Sequence, residues 1–477
     1  MGITRLFDAS HTTSTVRSRR HGAARRSAAA AVFGWLCLAS GADAETMSSA
    51  LARAYVGNPD LNQQRAGVRA SDENIPRASA GWRPQASAVG QVGANYLDLR
   101  SAGSRLNGVT APSTIGVSVS QNLFDANRTL NSVRQAESGV LSSREQLRNT
   151  EQSVLQSGAT AYMNVLRDTA VLELRRNNIT VLEEQLRQTR DRFNVGEVTR
   201  TDVAQAEASL ANSRSEYFTA QALLQSSIAS FRQIIGVEPT RLEPARTIEA
   251  LLPKSQTSAV ALALSEHPAI QAFLHAVDSA EAQVRIIEAE LYPNLSITGS
   301  VQRFTDYQGT RNGTLLNGAI VGQLTVPIYT GGSVDARVRQ AKEQLSQARL
   351  QADLQRDYVR AAVVSSWGQL DTSRAVIQSA QAAVRAAEIA LDGVREEAKV
   401  GQRTTFDVLY QQQVLLNTRV SLVTAQRDRV VASYAVMAAI GKLSAANLSL
   451  NVAAYDPTVH FDQVRDKWIG LRTPDGR

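Results

Sequence analysis

The 477-residue chain is poor in the residues from which enzymes and metal centres are built. Its one cysteine, Cys37, lies in an apolar stretch near the start, so the body of the chain has no thiol, no disulfide and no cysteine metal site. Only three histidines, His267, His275 and His460, lie beyond residue 44, too scattered for metal-ligand spacing. No phosphate-binding loop occurs. We therefore expect no catalytic residue, no metal and no cofactor. Past residue 44 there is no run of eighteen apolar residues, which excludes a membrane-spanning helix. If the chain crosses a membrane, it must do so as a β-barrel. A strongly basic body is missing too. Of the net charge of +7, the first 44 residues supply +4 through six arginines opposed by two aspartates. The remaining +3 argues against nucleic acid as a partner.

That basic start has the layout of an export signal. Arginines precede the apolar run Ala28–Gly41, and Ala42-Asp43-Ala44 offers an A-x-A cleavage site. Residues 1–44 are thus expected to be a cleavable leader. Cys37 is followed by further apolar residues instead of a mature chain, which speaks against lipid attachment there.

Proline is also scarce, with twelve residues in all, none between Ser113 and Glu238 and none between Ile328 and Asp456. Both windows are rich in Ala, Gln, Arg, Glu and Leu, and apolar residues recur at three- and four-residue steps, as in Leu147, Val154, Leu155, Tyr162, Val165. These windows predict helical hairpins over about 126–236 and 332–441. The chain repeats itself: NVGEVTRTDV at Asn194–Val203 returns as KVGQRTTFDV at Lys399–Val408, an offset of 205 residues. Gly196 and Gly401 suit helix C-termini, and Thr199-x-x-Asp202 and Thr404-x-x-Asp407 suit the start of the next helix. Each hairpin should therefore turn at this motif. Two repeats follow, 45–250 and 251–454, with a polar tail, 455–477, assigned nothing beyond wrapping the helices.

Ahead of each hairpin come two alternating segments, about 85–97 with 113–124 and about 294–304 with 319–329. Ile115, Val117, Leu324 and Val326 fall on apolar faces. Leu97–Pro112 and Thr305–Gly318 read as connecting loops. Alternation alone also fits a half-buried soluble sheet. Export, with no helical span, favours membrane strands. Four strands cannot close a membrane barrel, so several chains must contribute.

Two strands, a long hairpin and a helical lead-in, present twice behind a leader, resemble the TolC family of outer-membrane channel proteins. The motif stretches Arg192–Val203 and Lys399–Val408, and PIYTGG at Pro327–Gly332, carry the resemblance. It implies a mainly α fold with a membrane β-barrel: long antiparallel helical hairpins plus four β-strands per chain, three chains forming a 12-stranded barrel on a periplasmic tunnel. It implies a homotrimer in the outer membrane of a Gram-negative cell, in contact with outer-membrane lipid. The implied function is the exit duct for multidrug efflux pumps or type I secretion, partnered by a periplasmic adaptor and an inner-membrane pump or ABC exporter. By the same resemblance, Asp407 matches an aperture aspartate and Arg403 an arginine that ties the hairpin near Thr201 and Asp202. Tyr410 stands where a second aperture aspartate would fall, and Ala398 where the family has a gate tyrosine. Val195, Gly196, Glu197, Val400, Gly401 and Gln402 match tip residues that meet the adaptor. From the residues alone, Asp202 and Asp407 are equally helix caps. The rival reading is a periplasmic coiled-coil adaptor or scaffold, which would need a compact β-rich domain and a membrane tether.

Overall fold

The computed structural model describes residues 45–101, 104–306 and 313–476; the expected leader lies outside them. Helices α1 (Met47–Gly57), α2 (Pro59–Asp72) and α3 (Asn74–Ser79) lead into four strands, β1 (Gln85–Val92), β2 (Asn95–Ser101), β3 (Ser104–Thr110) and β4 (Ser113–Phe124). The first hairpin follows as α4 (Arg128–Asn194) and α5 (Arg200–Ile235). The second half repeats the order with α6 (Gln256–Glu266), α7 (Pro268–Glu288), β5 (Asn294–Thr305), β6 (Thr314–Thr325), α8 (Ser333–Lys399) and α9 (Thr405–Ile440). A last helix, α10 (Thr458–Val464), lies in the tail. Helices α4 and α8 have 67 residues each, so at 1.5 Å per residue each is about 100 Å long.

The main sheet is antiparallel in the order β1-β4-β5-β6, leaving β1 and β6 as unpaired edges. Its register carries the alternation across strands. Ala88, Val117, Val301 and Gly318 align, as do Ala86, Val119, Gly299 and Ile320. The opposite face carries the row Ser87, Ser118, Ser300 and Ala319, with Ser87 Oγ and Ser118 Oγ 3.0 Å apart. One face is thus apolar and uncovered, with Ile115, Val117, Ile320 and Leu324 exposed to the surroundings.

The strands differ from the expected spans in three places. β1 stops at Val92, and Asn95–Ser101 pairs with Ser104–Thr110 as a separate hairpin inside what reads as a loop. β6 begins at Thr314, pairing through the Asn317-Gly318 stretch, and ends at Thr325. Val326 therefore lies beyond the strand, because Pro327 has no N–H to continue the ladder.

The helical layer is an open row. At its lower part α5 packs on α4, α4 on α9 and α9 on α8; nearer the sheet α7 bridges α4 and α8. α5 and α8 are its lateral edges, and Phe218, Leu350, Leu354 and Tyr358 are exposed on them. The main core lies where α1 and α2 meet α4. There Tyr162 is fully buried, its ring 6.3 Å from Phe231 and its hydroxyl 2.7 Å from the carbonyls of both Glu45 and Glu243. Burial pushes the Tyr162 phenol up to about 12.

Candidate functional site at the hairpin tips

Each long shaft ends in the same turn. Gly196, with φ +80°, donates to Phe193 O at 3.0 Å, and Glu197 donates to Arg192 O at 2.9 Å. Gly401, with φ +79°, donates to Ala398 O at 3.3 Å, and Gln402 donates to Glu397 O at 2.9 Å. These paired bonds satisfy the last carbonyls of α4 and α8 and require a left-handed residue, which glycine adopts without strain. Ala398 serves here through its backbone carbonyl.

The return helices open with matching caps. Thr199 N donates to Asp202 Oδ2 at 2.8 Å, and Asp202 N donates back to Thr199 Oγ1 at 3.3 Å. Thr404 N donates to Asp407 Oδ2 at 2.9 Å, and Asp407 N donates to Thr404 Oγ1 at 3.3 Å. The Thr404 N–H and hydroxyl hold the Asp407 carboxyl below its ordinary pKa, with Arg403 nearby adding to the effect. Oδ2 takes these bonds, and among the described residues no hydrogen bond takes up Oδ1.

The arginine of the second tip is paired within its own hairpin. Arg403 Nε donates to Glu397 Oε2 at 2.8 Å, one charged hydrogen bond across the turn. The same device closes the first tip, where Arg192 Nε lies 3.1 Å from Glu197 Oε2. Within one protomer Arg403 does not pair with Thr201 or Asp202. Thr201 sits exposed in the first turn of α5. Val195, Gly196, Glu197, Val400, Gly401 and Gln402 are all solvent-exposed.

Tyr410 projects from α9 and stacks on Phe406, ring centroids 6.4 Å apart at 23°. The pair borders a groove with Leu182, Ser209 and Gln412 between α9 and the first hairpin. Phe406 was not singled out from the sequence, although its aromatic i,i+4 relation to Tyr410 marks one helix face. A second groove separates the two shafts, with Glu184 and Arg192 of α4 facing Arg395, Glu396 and Lys399 of α8. There the Arg187 and Gln188 hydrogen bonds hold the Glu184 carboxyl down to about 2. Among the described residues no cluster of His, Cys, Asp or Glu could hold a metal ion, and no helix is long and apolar enough to cross a membrane.

Both halves of the chain are similar to known proteins. The family model described as "Outer membrane efflux protein" matches twice, over residues 50–237 and 259–442. The chain is 41% identical over 453 residues to the outer membrane efflux protein BepC of Brucella suis, covering 94% of this chain and 97% of that protein. It is 29% identical over 440 residues to the outer membrane protein TolC of Escherichia coli, covering 87% and 86%. In structure it is similar to the CmeC outer membrane channel of Campylobacter jejuni, with a TM-score of 0.75 at 17% identity over 88% of this chain and 89% of that one.

Proposed function

This chain belongs to the outer membrane efflux protein family, and from that premise we propose that three copies close into one continuous duct whose periplasmic mouth is formed by the hairpin tips. The protein resides in the outer membrane of a Gram-negative cell and serves as an exit duct for efflux or type I secretion. The observation that carries the assembly is the pair of open edges. A four-stranded sheet with β1 and β6 unpaired, and a helical layer ending in α5 and α8, can each close only against further copies. Head-to-tail contacts that close by rotation make a ring, and three copies would give twelve strands, within the range of membrane barrels. The apolar face would then meet lipid and the serine-rich face would line the lumen.

In this arrangement the tips at Val195–Glu197 and Val400–Gln402 meet the periplasmic adaptor, which links the duct to an inner-membrane pump or exporter. Three Asp407 side chains converge on the mouth, Oδ2 capping α9 and Oδ1 left for a cation. Tyr410, stacked on Phe406, stands one turn further in, where a second acidic ring would otherwise sit. Arg403 holds the turn through Glu397 and, across the assembly, faces the Thr201–Asp202 end of a neighbouring hairpin.

Two measurements test this. Unheated outer-membrane samples should run as a heat-sensitive trimer on denaturing gels; a soluble periplasmic monomer would remove the reading and restore the adaptor alternative. In planar bilayers, divalent cations on the periplasmic side should obstruct current, and Asp407→Asn should weaken the block while leaving the trimer intact. Because the Asp407 pKa is lowered, its charge and cap are present at and above the ordinary carboxylate range. They are lost only as pH falls through the depressed value. In each tip the cap thus favours the charged carboxylate, while repulsion among three converging carboxylates works against it. Equal cation sensitivity in wild type and Asp407→Asn would leave Asp407 a helix cap alone.

A further inference from the structure

The end of the C-terminal tail is fastened to the foot of the sheet and turns three large apolar side chains outward. After α10, Arg83 Nη1 donates to Lys467 O at 2.8 Å, and the Arg83 guanidinium lies 4.8 Å over the Trp468 ring. Arg83 stands two residues before β1, next to Trp82, whose carbonyl accepts from Gln121 of β4. Lys467 Nζ then donates to Arg472 O at 2.6 Å, closing a small loop with Gly470 at φ +128°. Around this loop Trp468 is 66% exposed, Ile469 90% and Leu471 103%. Three such side chains gain nothing from water, and among the described residues no core cluster takes them in.

Their position suggests what does cover them. β1 starts, β4 ends, β5 starts and β6 ends at this margin, and Trp82, Tyr292 and Tyr329 are exposed along it. Aromatic side chains with cations beside them mark the boundary between hydrocarbon and headgroups. The tail supplies Lys467, Arg465 and Arg472 around its apolar loop, the pattern of a segment that lies in a bilayer surface without crossing it.

We propose that the loop Lys467–Arg472 is a membrane anchor, seated in the periplasmic-side phospholipid leaflet of the outer membrane, with Trp468, Ile469 and Leu471 among the acyl chains. The occupant is lipid, continuous with the lipid that would surround the apolar face of the sheet. The proposal rests on the sheet entering a membrane. It adds a second attachment point that clamps α2 and α10 against the barrel foot.

The test uses the full-length processed protein carrying Trp82→Phe and Trp367→Phe, which leaves Trp468 as its tryptophan. It is reconstituted into vesicles of phosphatidylethanolamine and phosphatidylglycerol with acyl chains brominated near the headgroup. Trp468 emission should fall about twofold relative to unbrominated vesicles and resist aqueous iodide, as expected for a side chain at acyl-chain depth. Quenching by iodide without bromine quenching overturns the proposal. So does insensitivity to both quenchers, which would place a second copy of the chain over the loop. The variant Trp468→Ser, Ile469→Ser, Leu471→Ser should insert normally yet become open to trypsin at Lys467 and Arg472 in plain vesicles, where wild type is protected. Failure of the wild-type chain to enter vesicles would sink the barrel reading and the anchor with it. Insertion without bromine quenching sinks the anchor alone.

Discussion

The two halves of the chain solve one packing problem in opposite ways. Helices α4 and α8 begin 205 residues apart, so Gly158 and Val363 are equivalent, as are Tyr162 and Trp367. At Gly158 the shaft is small and the lead-in helix is large: a Cβ there would lie 2.9 Å from Leu51 Cδ2. At Val363 the shaft is larger, and the lead-in residue that matches Leu51, counted from the equivalent caps Thr46 and Ser255, is the smaller Val260, packed against the buried cluster that holds Val363. Volume moves from one partner to the other while the helices remain in close contact, as tight interior packing requires. The tips behave differently. Gly196 and Gly401 are retained together with Thr199, Asp202, Thr404 and Asp407, because a backbone at positive φ cannot be repacked around. Side-chain volume is negotiable between copies, whereas the turn geometry at the tips is not.

The strongest way to break the equivalence lies in the sheet. Val119 and Leu324 are 205 residues apart and both lie on the apolar face. If that face meets lipid, Val119→Arg at mid-sheet should cost roughly 2–4 kcal/mol and lower inserted trimer, whereas Leu324→Arg, one residue from the end of β6, should cost only about 0–1 kcal/mol. Ser118→Arg, on the opposite face, should spare insertion and change conductance instead. Insertion unchanged by Val119→Arg would mean that this face of the sheet does not meet lipid.

The size exchange is sharpened by copying one half into the other. Gly158→Val overpacks the contact with Leu51 and should cost about 1–3 kcal/mol, read as a lower thermal midpoint. Adding Leu51→Ala should recover much of that loss, whereas Leu51→Ala alone should destabilise. No recovery in the double variant would show that the two interfaces are not reciprocal. At the tips, Gly196→Ala and Gly401→Ala meet no neighbouring atom, so each should cost only the left-handed backbone penalty, about 1–2 kcal/mol, and nearly the same amount. Gly401→Pro, which removes the N–H donated to Ala398, should impair export while trimers still insert.

The smallest effect is expected at the strand-to-helix junctions. Ala126 and Asn127 have φ of +51° and +64°, while Gly331 and Gly332 have +66° and +76°. Ala126→Gly should therefore relieve strain, by roughly 1 kcal/mol or less, and Gly331→Ala should add a similar penalty. Opposite signs in denaturation experiments would confirm that the first copy carries the less suited residue in the same backbone.

Much of this was legible in the residues. The proline-free windows placed α4, α5, α8 and α9 to within a few positions, because long amphipathic helices are set by periodicity and by their capping residues. The strands were less legible at their outer ends. Asn95–Ser101 mixes Tyr96 and Arg100 on one side with Asn95 and Leu97 on the other, so alternation gives no sign of the β2–β3 hairpin. Thr314–Gly318 reads as a loop for its Asn and Gly, and joins β6 only because Val301–Thr305 presents a complementary edge. At the site, the caps at Asp202 and Asp407 followed from local spacing. The Glu397 partner of Arg403 and the Phe406–Tyr410 stack did not, since both depend on where the turn directs side chains. The tail, read as polar and wrapping, holds α10 against α2 through His460 Nδ1, 2.9 Å from the buried Asp72 Oδ2. Nothing in its sequence period announces that contact.

The unpaired β1 and β6 edges also shape how the protein comes into being. The helical hairpins form from neighbours in sequence and can fold in a lone chain soon after export. In the proposed trimer the sheet is finished only by further copies, and until they arrive it would present two adhesive edges and an apolar face to the periplasm. Completion must therefore be a collision-limited event, its rate rising steeply with the supply of new chains. At low supply the half-made chain would compete between proteolysis, escort by a holdase and capture by its own kind.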